Sequence, residues 1–437
     1  MQLHPCLALF TVCALPLVPA RADVLVVDDD GGPGVFTNLQ VAAATALEGD
    51  ILLVKNGSYG ELVLDKGLTV VVDTGQVATV TGLRVAGLEA AQTAVVNGLR
   101  VRQPAVGSLF GQPDVLVEDC AGLVRLEGLD VAQTSVGAGF EMPVQQIIVR
   151  NSARVRLVES IVGAPTLTGE VPPTDPRAAL VVENSQVNVH DCQLVGSDGQ
   201  DAGVDPFTLL GKAAAPGAPG ILLTGNASYL RVASSLVLGG QGGDGALTTS
   251  VGCVAPADGG DGVFVEGFAQ SLVTANATLI GGVAGAPARD ATTFLCPATA
   301  DDGDPIGQAA AAGIGYQDFP EFRPSLVLDP VAREQLDIVL TYQALPGEPT
   351  LWAIGLDAEP SLPVFVFPGV PLEVEPLVVL TLPPLVGVQF GTATFPAVGD
   401  VLPPGQGITL FHQIARPTAS ALLLGEFASQ VLVDSSL

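Results

Sequence analysis

"IIVRNSARVRLVESIVG" (Ile147–Gly163) and "LVVENSQVNVHDCQLVG" (Leu180–Gly196) are built alike. Each opens with a short apolar strand, turns at an Asn, enters a second apolar strand and closes on a third that ends in Gly. Three more segments share the pattern: "VLVEDCAGLVRLEGLDV" (Val115–Val131), "ILLTGNASYLRVASSLVLGG" (Ile221–Gly240) and "VFVEGFAQSLVTANATLIGG" (Val263–Gly282). Anchored at the end of their first strands (Val117, Val149, Val182, Leu223 and Val265), they recur at steps of 32, 33, 41 and 42 residues. A coil of three short strands needs only about two dozen residues, so the excess is loop, within the range of solenoid repeats. One such coil cannot bury its apolar face alone. Stacked coils pair their backbones with the coils above and below and line up columns of Val, Leu and Ile. A leucine-rich solenoid is disfavoured because its Leu-x-x-Leu-x-Leu-x-x-Asn pattern is absent.

Upstream, "VFTNLQVAAATALEGDILLVKNGSYGELVLDKGLTVVVD" places a helix capped by Thr37 or Asn38 and running through Ala46. A Gly49-Asp50 turn, an Ile51–Val54 strand, Gly57-Ser58-Tyr59 and further short strands follow. This opening resembles the N-terminal coil of the pectin-lyase-like superfamily, and the resemblance implies a right-handed parallel β-helix with a helical cap. It is nearly silent about activity.

From about Asp318 the character changes. Pro is dense, and "LDIVLTY", "PTLWAIGL", "PVFVFPG", "LVVLTLP", "GVQFGTATF", "GITLFHQIA" and "SQVLVD" read as strands of a small β-sandwich. The closing "GITLFHQIA…LLLGEFASQVLVDSSL" resembles a module attached to β-helices in planctomycete-type secreted bacterial proteins. The expected organisation is therefore a signal peptide over residues 1–22, a β-helix over 23–317 and a sandwich over 318–437. The class is all-β.

The signal peptide rests on the apolar run Leu7–Val18 and the Ala20-Arg21-Ala22 sequence before Asp23. That run is too short to span a bilayer, and no later segment reads as a span. The chain is expected to be secreted or at the cell surface, extracellular or periplasmic, and monomeric. Asp and Glu number 45 against 17 Lys and Arg, a net charge of −28, which disfavours nucleic acid and anionic membranes as partners. Neutral glycans, cell-surface components and divalent cations remain compatible.

Four cysteines follow the leader: Cys120, Cys192, Cys253 and Cys296. The last two lie 43 residues apart, near the local repeat, so they fall in the same loop of adjacent coils and are candidates for a disulfide. Cys120 and Cys192 sit at different offsets from their anchors and read as buried structural thiols. Acidic clusters occupy the same long loops. Asp198, Asp201 and Asp205 form one; Asp258 and Asp261, and Asp301, Asp302 and Asp304, form two more in register with the cysteines. Stacked carboxylates can hold calcium, which takes six to eight oxygens. Asp and Gly also favour the backbone angles of solvated turns, so both readings stay open.

The stretch "GGQGGDGAL" (Gly239–Leu247) imitates a calcium-binding nonapeptide. Such motifs work in tandem, and one copy is present, so it reads as the exit from the coil into a loop carrying Asp244. No other cofactor is implied. Arg125, Arg154, Arg156 and Arg231 alternate with apolar positions and read as outward-facing decoration. His190, Asp191 and Cys192 are consecutive, and neighbours on a strand point to opposite faces, so they do not converge. His412 reads as a sheet residue of the C-terminal domain. Asn56, Asn226 and Asn276 begin formal glycosylation sequons.

No paired carboxylates or nucleophile arrangement can be carried over from the superfamily's enzymes, so no catalytic residue is assigned. The reading is a non-catalytic scaffold for adhesion or glycan binding. The alternative is a carbohydrate-active enzyme, a polysaccharide lyase or glycoside hydrolase. The discriminating feature is whether the Gly211–Gly220, Gly239–Gly262 and Gly281–Gly307 loops wall a groove.

Overall fold

A computed structural model describes residues 22–102, 113–132, 146–163, 177–204, 211–248, 252–288, 300–309 and 313–319. In the C-terminal third it describes 325–357, 375–382, 385, 390–395, 397, 402–417, 422–434 and 436–437. The signal-peptide reading, the "PVFVFPG" strand, Asp205 and Cys296 lie outside these residues.

The chain winds into a parallel β-helix with three sheets. Sheet I stacks eight strands from Leu62–Leu64 to Ile306–Gln308, and sheet III stacks eight from Gly57–Tyr59 to Thr278–Ile280. Sheet II runs from Ala22–Val27 to Ile314–Phe319. The first strands of the five repeats all lie in sheet I, with Val117 paired to Val149 and Val149 to Val182. Their second strands stack in sheet II, where Leu126, Leu157 and Val189 align. Alternate side chains point inward, so Val117, Val149, Val182, Leu126, Leu157 and Val189 form one continuous core. The final strand of sheet II extends to Phe319, across the expected boundary at 318, because its backbone pairs with Gln270–Ala275.

Turns between sheets I and II require a left-handed residue, and Asp119, Asn151 and Asn184 take it, with φ of 53°, 50° and 48°. Asn151 Nδ2 donates to Asp119 Oδ1 at 3.0 Å. Beside this column, Cys120 N–H donates to Ser152 Oγ and Ser152 N–H to Ser185 Oγ, at 3.2 and 3.0 Å. At the next turn, Leu129 N–H donates to Ser160 Oγ, Ser160 N–H to Cys192 Sγ, and Cys192 N–H to Ser235 Oγ. The two free cysteines are thus buried members of serine ladders. Their differing offsets reflect two different turns. Burial pushes the Cys192 thiol up to about 12, and its hydrogen bonds to Ser160 and His190 only partly oppose that.

The open start of the helix is closed at all three sheets. Asn38 caps helix α1 (Leu39–Thr45), whose Leu39, Ala42 and Ala43 cover the end of the core. The Gln40 amide donates to Val63 O and accepts from Val63 N–H, so it pairs with the exposed edge of sheet I. Asp29 accepts Ser58 N–H at 2.8 Å on the edge of sheet III. The first strand of sheet II pairs antiparallel with a strand of the C-terminal domain, Ala22 opposite Gly407 and Asp23 opposite Gln406.

That C-terminal domain is a two-sheet sandwich. One sheet orders Glu375–Leu382, Thr350–Asp357, Gln406–Pro417, Leu422–Val433 and Val331–Arg333; the other orders Ser325–Leu328, Ile338–Gln343 and Phe390–Phe395. Leu340, Tyr342, Trp352 and Ile414 fill the space between them. The outer side of the five-stranded sheet lies on sheet II of the β-helix. Val331, Val431 and Val433 pack on Ile51, Leu53 and Val71, and Phe411 packs on Val95 and Leu123.

Candidate functional site

Among the described residues, the loops between sheets III and I in the last three coils pack against one another. They form six extended rods, spanning residues 196–202, 215–220, 239–245, 257–262, 281–287 and 301–305, that pack side by side. The amides of Gly196, Gly199 and Ala202 donate to Leu238, Gln241 and Asp244; those of Gly239, Gly242 and Gly245 donate to Ile280, Val283 and Ala286. Between the outgoing and returning layers, Ala218 donates to Ser197, Gly240 to Ala218, Gly260 to Gly240 and Gly282 to Gly260. A step of three residues between donors is the period of a polyproline-II helix, which has no internal hydrogen bonds and must find partners laterally.

Glycine is required here by close approach. A Cβ on Gly217 would lie 2.0 Å from Gly240 O, and one on Gly240 would lie 1.9 Å from Ser197 O. None of the rod glycines has a positive φ, so their conformational freedom is not the reason for them. "GGQGGDGAL" is packed on both sides by neighbouring rods. Its Gly240 and Gly243 are interior residues of a backbone-packed fin.

The acidic residues complete the same lattice. Gly199 N–H donates to Gln241 O at 2.7 Å, while Asp198 Oδ1 accepts Gln241 N–H at 2.9 Å. This Asp-Gly clamp recurs: Asp258 and Gly259 hold Asp301, and Asp261 and Gly262 hold Asp304. Asp201 with Ala202 holds Asp244, and Asp244 with Gly245 holds Ala286. Asp302 Oδ1 accepts Ala284 N–H at 2.8 Å. The expected register of 258 with 301 and 261 with 304 is thus a direct contact.

Among the described residues, only Asp28, Asp29 and Asp30 bring three ligating atoms within 4.8 Å of one another. Asp258, Asp261, Asp301, Asp302 and Asp304 do not converge in that way. Burial raises the Asp261 carboxyl, against the opposing hydrogen bond from Asp304 N–H. Cys253 sits near the fin's tip, on a Gly252–Val254 strand paired with Ala246–Thr248.

The outer face of sheet II is covered by the sandwich over its early strands, at Ile51, Leu53, Val71, Val95, Leu123 and Glu127. Arg125, expected to point to solvent, is fully buried beneath it, and Arg156 and Arg231 are each only 8% exposed. Alternation puts all three outside the helix core, but at Arg125 outside is not solvent, because the sandwich docks there. Arg125 Nε donates to Glu127 Oε2 at 2.8 Å, and Ser429 donates to the same carboxylate through its N–H, at 3.1 Å, and its hydroxyl. Nearby, Trp352 Nε1 donates to His412 Nδ1 at 3.2 Å. Burial, aided by Arg125, pushes His412 down to about 3, so it is a neutral acceptor. At the seam's other end, Lys55 and Arg333 both reach Asp73, at 2.7 and 3.1 Å.

One buried carboxyl stands apart. Asp114 precedes the Val115–Glu118 strand, is 2% exposed, and its Oδ1 has no hydrogen-bond partner. Burial raises it to about 7 against the pull of Arg102. Nothing in its local sequence distinguishes it from a turn Asp.

No family model matches the chain, and no curated protein matches it. Among solved structures, the enzymatically active domain of bacteriophage CBA120 tailspike protein 2 aligns at 12% identity and a TM-score of 0.18. That alignment covers 95% of this chain and 72% of that one.

Proposed function

We propose that the protein is a secreted or cell-surface scaffold, non-catalytic, that presents its acidic fin for adhesion or glycan binding. One observation carries the reading: the described parts of the loops that would have to enclose a substrate pack against one another, with the carboxylates of Asp198, Asp201, Asp244, Asp258, Asp261 and Asp302 bound to backbone amides. Concave, enclosed pockets are the usual setting for small-molecule chemistry, whereas a rigid projecting blade is suited to presentation. The Cys253–Cys296 disulfide, with Cys296 outside the described residues, would tie adjacent rods at the tip. A glycan array, run with the full chain and with a variant whose residues 239–262 are replaced by a short turn, tests this. Binding lost in the variant is expected. Undiminished binding in the variant, or none in the full chain, overturns the reading.

Asp114 favours the second reading, a carbohydrate-active enzyme. A carboxyl held near neutrality by burial is suited to general acid work. Product release from a panel of neutral and acidic polysaccharides that Asp114→Asn abolishes would establish it. Activity unaffected by that change would remove Asp114 from it.

A further inference from the structure

The peptide bond between Ala22 and Asp23 is marked twice. In the sequence, Ala20-Arg21-Ala22 places a leader cleavage before Asp23. In the fold, Asp23 N–H donates to Asp50 Oδ1 at 3.2 Å. The nitrogen that cleavage would free is therefore already in contact with a carboxylate.

That carboxylate lacks a cation. Asp50 is 8% exposed, and its other oxygen accepts Leu47 N–H at 2.7 Å. Asp73, Glu118 and Glu127 are similarly buried, and each holds a lysine or an arginine. Among the described residues, no lysine, arginine or histidine pairs with Asp50. Lys66, beside the same turn, donates to Ala44 O and Ala46 O instead. Register brings a second acid close: Val24 pairs with Ile51, so Asp23 and Asp50 stand side by side just ahead of that pair. A buried carboxylate without a countercharge is costly, and a neighbouring acid adds to the cost.

We propose that the mature chain begins at Asp23 and that its α-ammonium is the missing partner of Asp50. Hydrolysis by a signal-peptidase-type protease consumes one water. The water oxygen leaves with Ala22 as part of a carboxylate, and both water protons end on the Asp23 nitrogen. An α-amine with an ordinary pKa of about 8 is then charged at neutral pH. The amide-to-carboxylate contact becomes a charge-assisted one, roughly twice as strong. Through Asp50 the charge reaches Leu47, just past the capping helix, while Asp23 lies opposite Gln406 of the sandwich. The pair thus sits where cap, first strand and sandwich meet, and it exists only once the leader is gone. This rests on the secreted part of the function proposed above and not on glycan binding.

The test expresses the full chain, leader included, in a secreting bacterial host and reads its N-terminus by mass spectrometry. Asp23 is the expected first residue; an uncut leader overturns both this proposal and secretion, and a different first residue overturns this proposal alone. The α-amine of the folded chain is then methylated reductively at neutral pH. It should react at least ~10-fold more slowly than in an Asp50→Asn variant, because a paired ammonium must first leave its partner. Equal rates in the two folded chains overturn the pairing and leave secretion standing. Should Asp50→Asn misfold, a chain carrying Gly-Gly-Ala22 ahead of Asp23 keeps Asp50 and removes the charge from the site. It also restores Ala22 opposite Gly407, so a lower denaturation midpoint than that of the chain beginning at Asp23 is not a loss of strand pairing. That lower midpoint is expected, and an equal or higher one overturns the pairing.

Discussion

The β-helix body and the fin are made by the same repeat and packed by opposite means. In the body, strands alternate apolar and polar residues, and the interior is side chains: Leu126, Leu157 and Val189 stack in one column. In the fin, glycine recurs every third residue and the interior is backbone: Gly240 and Gly260 touch carbonyls directly. Both satisfy their amides through the neighbouring coil. The body draws on the hydrophobic effect, which tolerates exchange among residues of similar volume. The fin has almost no apolar side chain to bury, so it rests on hydrogen bonds and close contact and tolerates no added atom. Sensitivity to substitution should therefore invert between the two regions.

The largest effect is expected where an atom is added to the fin. Gly240→Val places a Cβ against Ser197 O at 1.9 Å with no flexible neighbour to yield. The loss should exceed ~4 kcal/mol, in the class of exceptional substitutions. Rapid cleavage by a broad protease between residues 196 and 305, with far-ultraviolet dichroism from the body retained, is the expected signature. An intact fin in this variant would mean that the rods are not backbone-packed. Removing atoms from the body comes next. Leu157→Ala should cost about 2–5 kcal/mol, read as a fall in the main thermal transition without selective cleavage of the fin.

The body was legible in the sequence because its physics leaves a period. Apolar strands and Asn turns at Val117, Val149 and Val182 recur in step with the coils, and a side-chain core needs that recurrence. The Asp258–Asp301 register was legible for the same reason. The fin's packing was not, although Gly239–Gly245 was conspicuous: glycine is used both for turns and for close approach, and only the neighbouring rod shows which. Arg125 misled because strand alternation distinguishes inside from outside the helix but does not reveal that a sandwich more than 200 residues later covers the outside. Asp114 carried no signal at all, since its burial depends on residues distant in sequence.

Asp114 also gives the expected pH dependence. Its carboxyl is raised from 3.8 to about 7 in the folded chain. Between those values the native state binds more protons than the unfolded state, so stability should fall as pH rises from about 4 to 7. The slope approaches 1.4 kcal/mol per pH unit for a single group. Asp114→Asn removes the ionisable group, so its denaturation midpoint should vary less over that interval and exceed that of the natural chain at pH 7. An unchanged slope would place Asp114 in contact with solvent. Asp73 has the opposite sign: burial raises it, but hydrogen bonds from Lys55 and Arg333 outweigh that and lower it. Its contribution is present above its unfolded value of 3.8 and is lost as pH falls through the lower folded one.

A milder test of the fin removes an acceptor instead of adding an atom. Asp258→Ala leaves Asp301 N–H without its carboxylate at 2.8 Å. An exposed site can recruit water, so the cost should be about 1 kcal/mol. The change should appear as faster hydrogen exchange at Asp301 with Gly260 still protected. Equal loss of protection at both would mean that the Asp-Gly clamps, and not the glycine contacts, hold the rods.

The smallest effect is expected where body and fin follow a common rule. Cys192 accepts Ser160 N–H through Sγ at 3.5 Å and donates its own N–H to Ser235 Oγ at 3.0 Å. Ser160 and Ser235 occupy the same column one coil to either side, each with its hydroxyl turned to a backbone carbonyl. Sγ does the same, toward Leu157 O and His190 O. Cys192→Ser therefore keeps the ladder's donors and acceptors and exchanges a weak sulfur acceptor for a stronger oxygen one. Against this stands the loss of a small apolar group from a site that is 3% exposed. The two contributions oppose each other, and the net change should stay within ~1 kcal/mol, measured by chemical denaturation. Cys192→Val has similar bulk and no acceptor, so it strands Ser160 N–H and should cost more, by about 1–3 kcal/mol. If Val is tolerated as well as Ser, volume alone decides this column, and amide satisfaction through side chains is confined to the fin.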